Sequence, residues 1–359
     1  MPVDAQTDSL VMAPDFGEPA RSFTCPTDGV ERYCIDVAAG RWLVLMFTGS
    51  LGLEASAEAL AKALELRDLF DDHDAALFAV SVDPADKTER GLANSEPGVR
   101  FFWDFDCAVS RLYGVIDGDY LRPGVFLIDP AFRVAMAEPI ENTPAVMARL
   151  TRELAAATLD EPPAPVLILP RVFEPELCAV LIDYFRQGAP EPSGFAVNVD
   201  GRTVLQHNPM LKRRSDVTIE EPALIDAVRM RIETRLFPMI QRAFGWGAQH
   251  IERYLICRYG SEDQGFFFPH RDDVTAGTAH RKFAVTLNLN AEDYAGGELR
   301  FPEFGRRTYK PPTGGAAVFS CNLLHEATPV TLGERLTVVP FLFDDAGERI
   351  RQANLGLVG

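Results

Sequence analysis

In this chain of 359 residues, the segment Leu159-Asp-Glu-Pro-Pro-Ala-Pro165 breaks all hydrophobic periodicity, and its prolines favour an extended, semi-rigid linker. A linker at 159–165 leaves two parts, 1–158 and 166–359. Each is long enough for a core of its own, given a prior of roughly one domain per 150 residues. The two parts also differ in texture.

The first part alternates strand and helix patterns. Trp42-Leu-Val-Leu-Met-Phe47 and Ala76-Leu-Phe-Ala-Val-Ser-Val82 are continuous apolar runs of the kind buried on both faces of a parallel sheet. Between them, Ser56 to Phe70 repeats apolar residues at Leu60, Ala63, Leu64 and Phe70, a helical spacing. Val125 to Asp129 adds a strand. Thr143 to Ala157 adds a helix, with Thr143 as the expected N-cap before Pro144. This order predicts a small α/β domain with a right-handed parallel crossover.

Beyond the linker, Pro175 to Gln187 and Glu221 to Phe244 read as helices. Short β-rich runs then follow at 253–259, 283–290, 297–301, 316–320 and 336–343, separated by Gly, Pro and Asp. Such runs predict an antiparallel barrel or jelly roll with packing helices.

A net charge of −17 argues against a general grip on nucleic acid or an anionic membrane surface. The six cysteines lack CxxC spacing, which predicts free thiols in a reducing compartment. Residues 1–16 have no apolar core after a basic start, and no apolar run approaches membrane-spanning length. A cytoplasmic location is expected.

Chemistry concentrates in the β-rich part. His270-Arg-Asp272 and His325 offer two imidazoles and a carboxylate, the facial set that holds Fe(II) while leaving positions open. In an extended segment His270 and Asp272 point to one side and Arg271 to the other. A lone His-x-Asp is common by chance, but Arg335, ten positions after His325, starts a strong strand pattern where a guanidinium can pair with a carboxylate inside a barrel.

Arg258-Tyr-Gly, Pro269-His-Arg-Asp272, Tyr294-Ala-Gly-Gly-Glu-Leu299, Gly314-Gly-Ala-Ala-Val-Phe319 and His325 through Arg335 together resemble the prolyl 4-hydroxylase-like branch of the Fe(II)/2-oxoglutarate dioxygenases. The resemblance implies a double-stranded β-helix (jelly-roll or cupin-like) fold and Fe(II) on His270, Asp272 and His325. It also implies that the 2-oxoglutarate C5 carboxylate lies on Arg335, with Tyr259 near the co-substrate. The implied reaction consumes O2 and 2-oxoglutarate, with ascorbate as a candidate reductant, and hydroxylates a peptidyl, amino-acid or small-molecule substrate. Related halogenases replace the carboxylate that Asp272 retains, so oxygenation is the expected outcome.

The first part resembles thioredoxin-like proteins of the peroxiredoxin branch through residues 11–16, 42–47, 79–83, 112–115 and 126–129. The position expected for the peroxidatic cysteine falls near Ser56, and residues 49–55 contain no cysteine. An accessory role in substrate binding, partner docking or homodimerisation is therefore expected. Two other readings stay open: a thiol peroxidase or redox sensor acting through Cys107 or Cys34, and an iron- or oxygen-sensing module. His73, His207, His250 and His280 read as ordinary histidines without partners at ligand spacing, Arg281 and Lys282 as solvated, and Phe266-Phe-Phe268, which adjoins the first ligand, as core packing ahead of a substrate-pocket lining.

Overall fold

The computed structural model describes residues 14–156 and 162–358. The chain divides into two compact units, Met1–Pro162 with Pro302–Gly305, and Pro163–Phe301 with Arg306–Gly359. Part of the linker segment, residues 159–161, and the start of the 11–16 landmark lie outside the described residues.

The first unit is built on one sheet of seven strands. In chain order these are β1 (Thr24–Thr27), β2 (Val30–Cys34), β3 (Trp42–Gly49), β4 (Ala75–Ser81), β5 (Val99–Trp103), β6 (Gly124–Ile128) and β7 (Val134–Pro139). Their spatial order is β2-β1-β5-β4-β3-β6-β7, with β3, β4 and β5 parallel and β6 antiparallel to β3. Helices α1 (Glu54–Leu64) and α2 (Thr143–Ala155) cover one face. There Val44, Met46, Leu77, Val125 and Leu127 pack on Leu60, Ala63, Val146 and Leu150. The alternate residues of the strands carry an aromatic layer, Phe47, Phe78, Phe102 and Phe126, joined by Tyr113 from the end of the helix Ala108–Leu112, in edge and tilted contacts. Both faces are thus apolar, which is why these strands read as unbroken apolar runs.

Two expectations for this unit are corrected. The first helix stops at Leu64, and Arg67–Leu69 forms a 3-10 turn, so Phe70 is not on it. Thr143 is the first helical residue, not the cap, and its hydroxyl donates back to the Ile140 carbonyl at 2.7 Å.

In the second unit two sheets carry the β-rich part. The strands are β8 (Leu167–Leu169), β9 (Glu191–Pro192), β10 (Lys212–Arg213), β11 (Ser215–Thr218), β12 (His250–Glu252), β13 (Leu255–Gly260), β14 (Phe266–His270), β15 (Phe283–Asn288), β16 (Leu299–Arg300), β17 (Thr308–Tyr309), β18 (Ala316–Ser320), β19 (His325–Ala327), β20 (Glu334–Val338) and β21 (Phe341–Phe343). The larger sheet runs β8-β18-β15-β20-β13-β11-β9, with β12 and β21 beside it, and the smaller runs β10-β14-β19-β16-β17.

Helices α3 (Pro175–Gln187), α4 (Pro222–Arg231) and α5 (Phe237–Phe244) pack on one face of the larger sheet. Leu181, Val228, Ile232 and Ile240 meet Ile256, Val285, Leu287, Leu336 and Val338 there. Burying each such side chain stabilises the unit by roughly 1.5–3 kcal/mol. The alternate residues of β13, Leu255, Cys257 and Tyr259, instead join Ala327, Val330 and Phe267 of the other layer, so the site lies between the sheets.

The expected helix over 221–244 contains a π turn at Ile232–Leu236, two residues before Pro238. Proline lacks the N–H that would bond residue 234, and its ring pushes that carbonyl away, which widens the preceding turn. The expected strand over 297–301 shrinks to Leu299–Arg300 because Gly296 and Gly297 take left-handed φ values of 70° and 64°. The run over 336–343 is two strands broken at Val339 and Pro340.

Candidate metal centre

Strands β14 and β19 pair antiparallel with His270 opposite His325, which brings the imidazole centroids to 4.3 Å. Just past β14, the backbone N–H of Asp272 donates to the Cys321 carbonyl at 2.9 Å. His270 Nε2 lies 3.5 Å from Asp272 Oδ1, and His325 Nε2 lies 3.3 Å from Asp272 Oδ2. One donor atom from each of the three residues falls within 4.8 Å of the others. Asp273 is outside this set, with Oδ2 accepting from Asn322 at 3.4 Å.

Each imidazole is oriented by a carbonyl two residues back. His270 Nδ1–H donates to Phe268 at 2.7 Å, and His325 Nδ1–H donates to Leu323 at 2.9 Å. A carbonyl can only accept, so Nδ1 carries a proton in each ring and Nε2 is the nitrogen turned to the site. Burial, then the His325 charge, push His270 down to about 4, so its imidazole is neutral at pH 7. Burial alone would raise the Asp272 carboxyl, but His325 and His270 hold it well below the usual carboxylate range. Both Nε2 atoms and the ionised Asp272 carboxylate therefore converge on one place, where a cation would meet all three. The donor set fits a hard-to-borderline divalent metal with free positions.

Aromatic rings pack against both imidazoles. Phe267 stacks on His270 with centroids 3.5 Å apart, and Phe319 stands 4.6 Å from His325. The sequence reading of Phe266 to Phe268 as core packing is thus only partly right, since Phe267 lies directly against a site imidazole.

Arg335 lies on β20 opposite Tyr259 of β13 and is 3% exposed. Its Nη1 donates to the Gly297 carbonyl at 2.6 Å and its Nη2 to Thr286 Oγ1 at 2.8 Å. Its Nε is buried without a hydrogen-bond partner. No carboxylate pairs with it among the described residues, so the guanidinium meets only neutral acceptors. The Tyr259 ring centroid is 5.3 Å from Arg335 Cζ. Gly297 can hold its carbonyl there because a Cβ at that position would stand 2.6 Å from Val330 Cγ2. A buried cation with a spare donor is a site for an anion's carboxylate.

The remaining polar residues divide differently from the sequence reading. His280 and Arg281 both meet Glu252, at 2.8 and 2.6 Å, so Arg281 is not solvated as expected. Sequence could not pair them with a residue 28 positions earlier. His250 meets Asp345 at 2.8 Å. Asp71, His73 and Asp74 also cluster, but they are largely exposed and Asp71 Oδ1 closes a turn by accepting from the His73 and Asp74 amides.

All six cysteines are unpaired. Ser56 is buried in the first turn of α1, its hydroxyl donating to the Thr48 carbonyl at 2.7 Å. Burial pushes the Cys34 thiol up, and pushes Cys25 up to about 12. Cys107 caps a five-residue helix, Ala108–Leu112, without a side-chain hydrogen bond to it. Among the described residues no helix is long and apolar enough to cross a membrane.

Comparison with known proteins finds a match in each unit. Residues 254–343 match the 2OG-Fe(II) oxygenase superfamily, and residues 16–137 match the AhpC/TSA family. A PKHD-type hydroxylase of Maricaulis maris (strain MCS10) is 31% identical over 129 residues, covering 35% of this chain. The chain spans 58% of that relative's length. Among solved structures, the viral collagen prolyl hydroxylase of Paramecium Bursaria Chlorella virus-1, in complex with 2OG, is similar at 18% identity. That match covers 49% of this chain and 94% of the viral one, with a TM-score of 0.36. A PrxQ mutant of Xylella fastidiosa is similar at 18% identity, covering 40% of this chain and 98% of that one, with a TM-score of 0.34.

Proposed function

We propose that this chain, which carries a 2OG-Fe(II) oxygenase region behind an AhpC/TSA region, is an Fe(II)- and 2-oxoglutarate-dependent dioxygenase that hydroxylates its substrate. The observation that carries the reading is the convergence of His270 Nε2, His325 Nε2 and the Asp272 carboxylate in the same inter-sheet layer as the partner-seeking guanidinium of Arg335.

In this reading His270, Asp272 and His325 hold the iron, and Arg335 holds the C5 carboxylate of 2-oxoglutarate beside Tyr259. Bound together, iron and 2-oxoglutarate would activate O2, one oxygen atom going into the substrate C–H to give C–OH and the other into succinate as 2-oxoglutarate loses CO2. The chain's own part is positional. The Phe268 and Leu323 carbonyls orient the imidazoles, and Phe267 and Phe319 pack against them. The retained Asp272 keeps the third ligand position on the protein, which favours oxygenation over halogenation.

The first unit serves as an accessory domain, with a serine hydroxyl tied to the backbone where a thiolate would be needed. The proposal extends to a cytoplasmic setting, supported by six unpaired thiols. Ascorbate as reductant and homodimer formation are its further parts, tested by ascorbate dependence of turnover and by sedimentation. The central test is succinate formation from 2-oxoglutarate by the Fe(II)-loaded full chain, screened against amino acids, peptides and small metabolites. Wild-type protein that neither retains iron nor consumes 2-oxoglutarate overturns the reading.

A further inference from the structure

Within the second unit a cleft of about 950 Å3 is lined in part by Lys212, Arg214, Ser193 and His207. Its size suits a small molecule. The chain as a whole is strongly acidic, yet this wall is basic: Arg186, Arg213 and Arg258 accompany Lys212 and Arg214, against Asp263 and Glu334. Glu334 is taken by Arg258 at 2.7 Å and lies 3.7 Å from Arg186, so it does not serve the two inner cations.

Those two cations are packed away from water. Lys212 is 7% exposed, its Nζ donating to the Gly194 carbonyl at 2.7 Å and lying 4.4 Å above the Phe267 ring. No carboxylate pairs with it among the described residues. The Arg214 side chain is 5% exposed, and Nη2 donates to Asp216 Oδ2 at 2.7 Å and Ser193 Oγ at 2.9 Å. Its Nε is buried with no partner, as is Asp216 Oδ1. Asp216 therefore offsets one of two positive charges and leaves the other, together with a free guanidinium N–H. Burial and the Arg214 charge push the Lys212 ammonium well below the ordinary lysine range, as befits a cation without an anionic partner.

One aromatic ring separates each cation from the proposed reaction centre. The Phe267 ring under Lys212 stacks on His270. The Tyr259 ring lies 6.0 Å from Arg214 Cζ and 5.3 Å from Arg335 Cζ. A ligand held by Arg214 and Lys212 is thus anchored next to the metal set without occupying it. A guanidinium N–H and an ammonium at one buried place match the oxygens of a carboxylate.

We propose that Arg214 and Lys212 anchor a carboxylate of the primary substrate, which is a small carboxylic acid entering through this cleft. This deepens, and rests on, the dioxygenase reading. The test is calorimetry on the full chain in a carboxylate-free buffer at low salt, with a panel of C4 to C8 aliphatic and aromatic carboxylic acids and the primary amide of each. At least one acid is expected to bind, with its amide at least tenfold weaker. Lys212→Met and Arg214→Lys, chosen to preserve volume or charge so that the fold survives, are each expected to weaken that acid at least tenfold while the affinity for 2-oxoglutarate stays within threefold. Arg335→Ala should leave acid binding in place. The proposal is overturned if no acid binds, if amides bind as well as acids, if both variants bind like wild type, or if Arg335→Ala abolishes acid binding. Intact acid binding without succinate formation would instead sink the dioxygenase reading alone.

Discussion

Replacing Arg335 by alanine separates co-substrate binding from metal binding. The guanidinium has two neutral acceptors, Gly297 O and Thr286 Oγ1, and one buried donor, Nε, without a partner. A carboxylate arriving there gains one or two charge-assisted hydrogen bonds, each worth roughly 1.5–3 kcal/mol. Arg335→Ala should therefore weaken 2-oxoglutarate by about 2–4 kcal/mol, or roughly 30- to 700-fold in Kd at 1.4 kcal/mol per decade. The same variant removes a buried cation that no protein carboxylate compensates, and Thr286 keeps its 2.8 Å hydrogen bond to Thr337. The Gly297 carbonyl loses its donor and a cavity remains, so folding stability should fall by about 1–3 kcal/mol, less than for breaking a buried ion pair. The assay is anaerobic calorimetric titration of 2-oxoglutarate into the Fe(II) protein, with iron content and thermal unfolding measured on the same sample. A Kd within threefold of wild type, with iron retained, refutes the assignment of this guanidinium to the C5 carboxylate.

Three further outcomes are expected. His325→Ala and Asp272→Ala should each lose iron and 2-oxoglutarate turnover, since two protein donors retain a labile metal poorly; wild-type metal content in both would move the centre elsewhere. Glu252 resists the effect of its own burial because His280 and Arg281 donate to it, which holds its carboxyl well below the usual range. Its stabilisation is complete above the unfolded pKa of about 4.3 and is lost as pH falls toward the lower folded value. Glu252→Gln should cost about 3 kcal/mol at pH 7 and flatten the acid limb of a stability-versus-pH curve; urea midpoints that superimpose with wild type from pH 3 to 7 would contradict the pairing. The full chain should not consume hydrogen peroxide with dithiol reductants, and peroxide turnover abolished by Cys107→Ser or Cys34→Ser would show a thiol chemistry that Ser56 cannot supply.

The sequence was most legible where a pattern is local. The apolar runs at 42–47 and 316–320, and the helix Pro175–Gln187, owe their form to residues a few positions apart, and the structure places each at or within two residues of its expected limits. His270 and Asp272 do lie near each other, but by a bend after β14 rather than by the pleat of one extended segment. Local pattern misled where a neighbour's backbone intervened, as Pro238 did through the π turn and Gly296 and Gly297 did by shortening the following strand.

What the sequence by itself determined, then, is the order of elements, the kind of donors available and the residue types that can meet them. Only the tertiary structure decided which of these meet. Strand pairing set His325 opposite His270, brought Lys212 over the Phe267 ring, and buried His280 and Arg281 on Glu252 rather than in solvent. These partners come from strands and loops tens of residues apart, so no window of sequence contains both members. Their juxtaposition follows from sheet register, and register follows from burying the apolar faces of two layers at once.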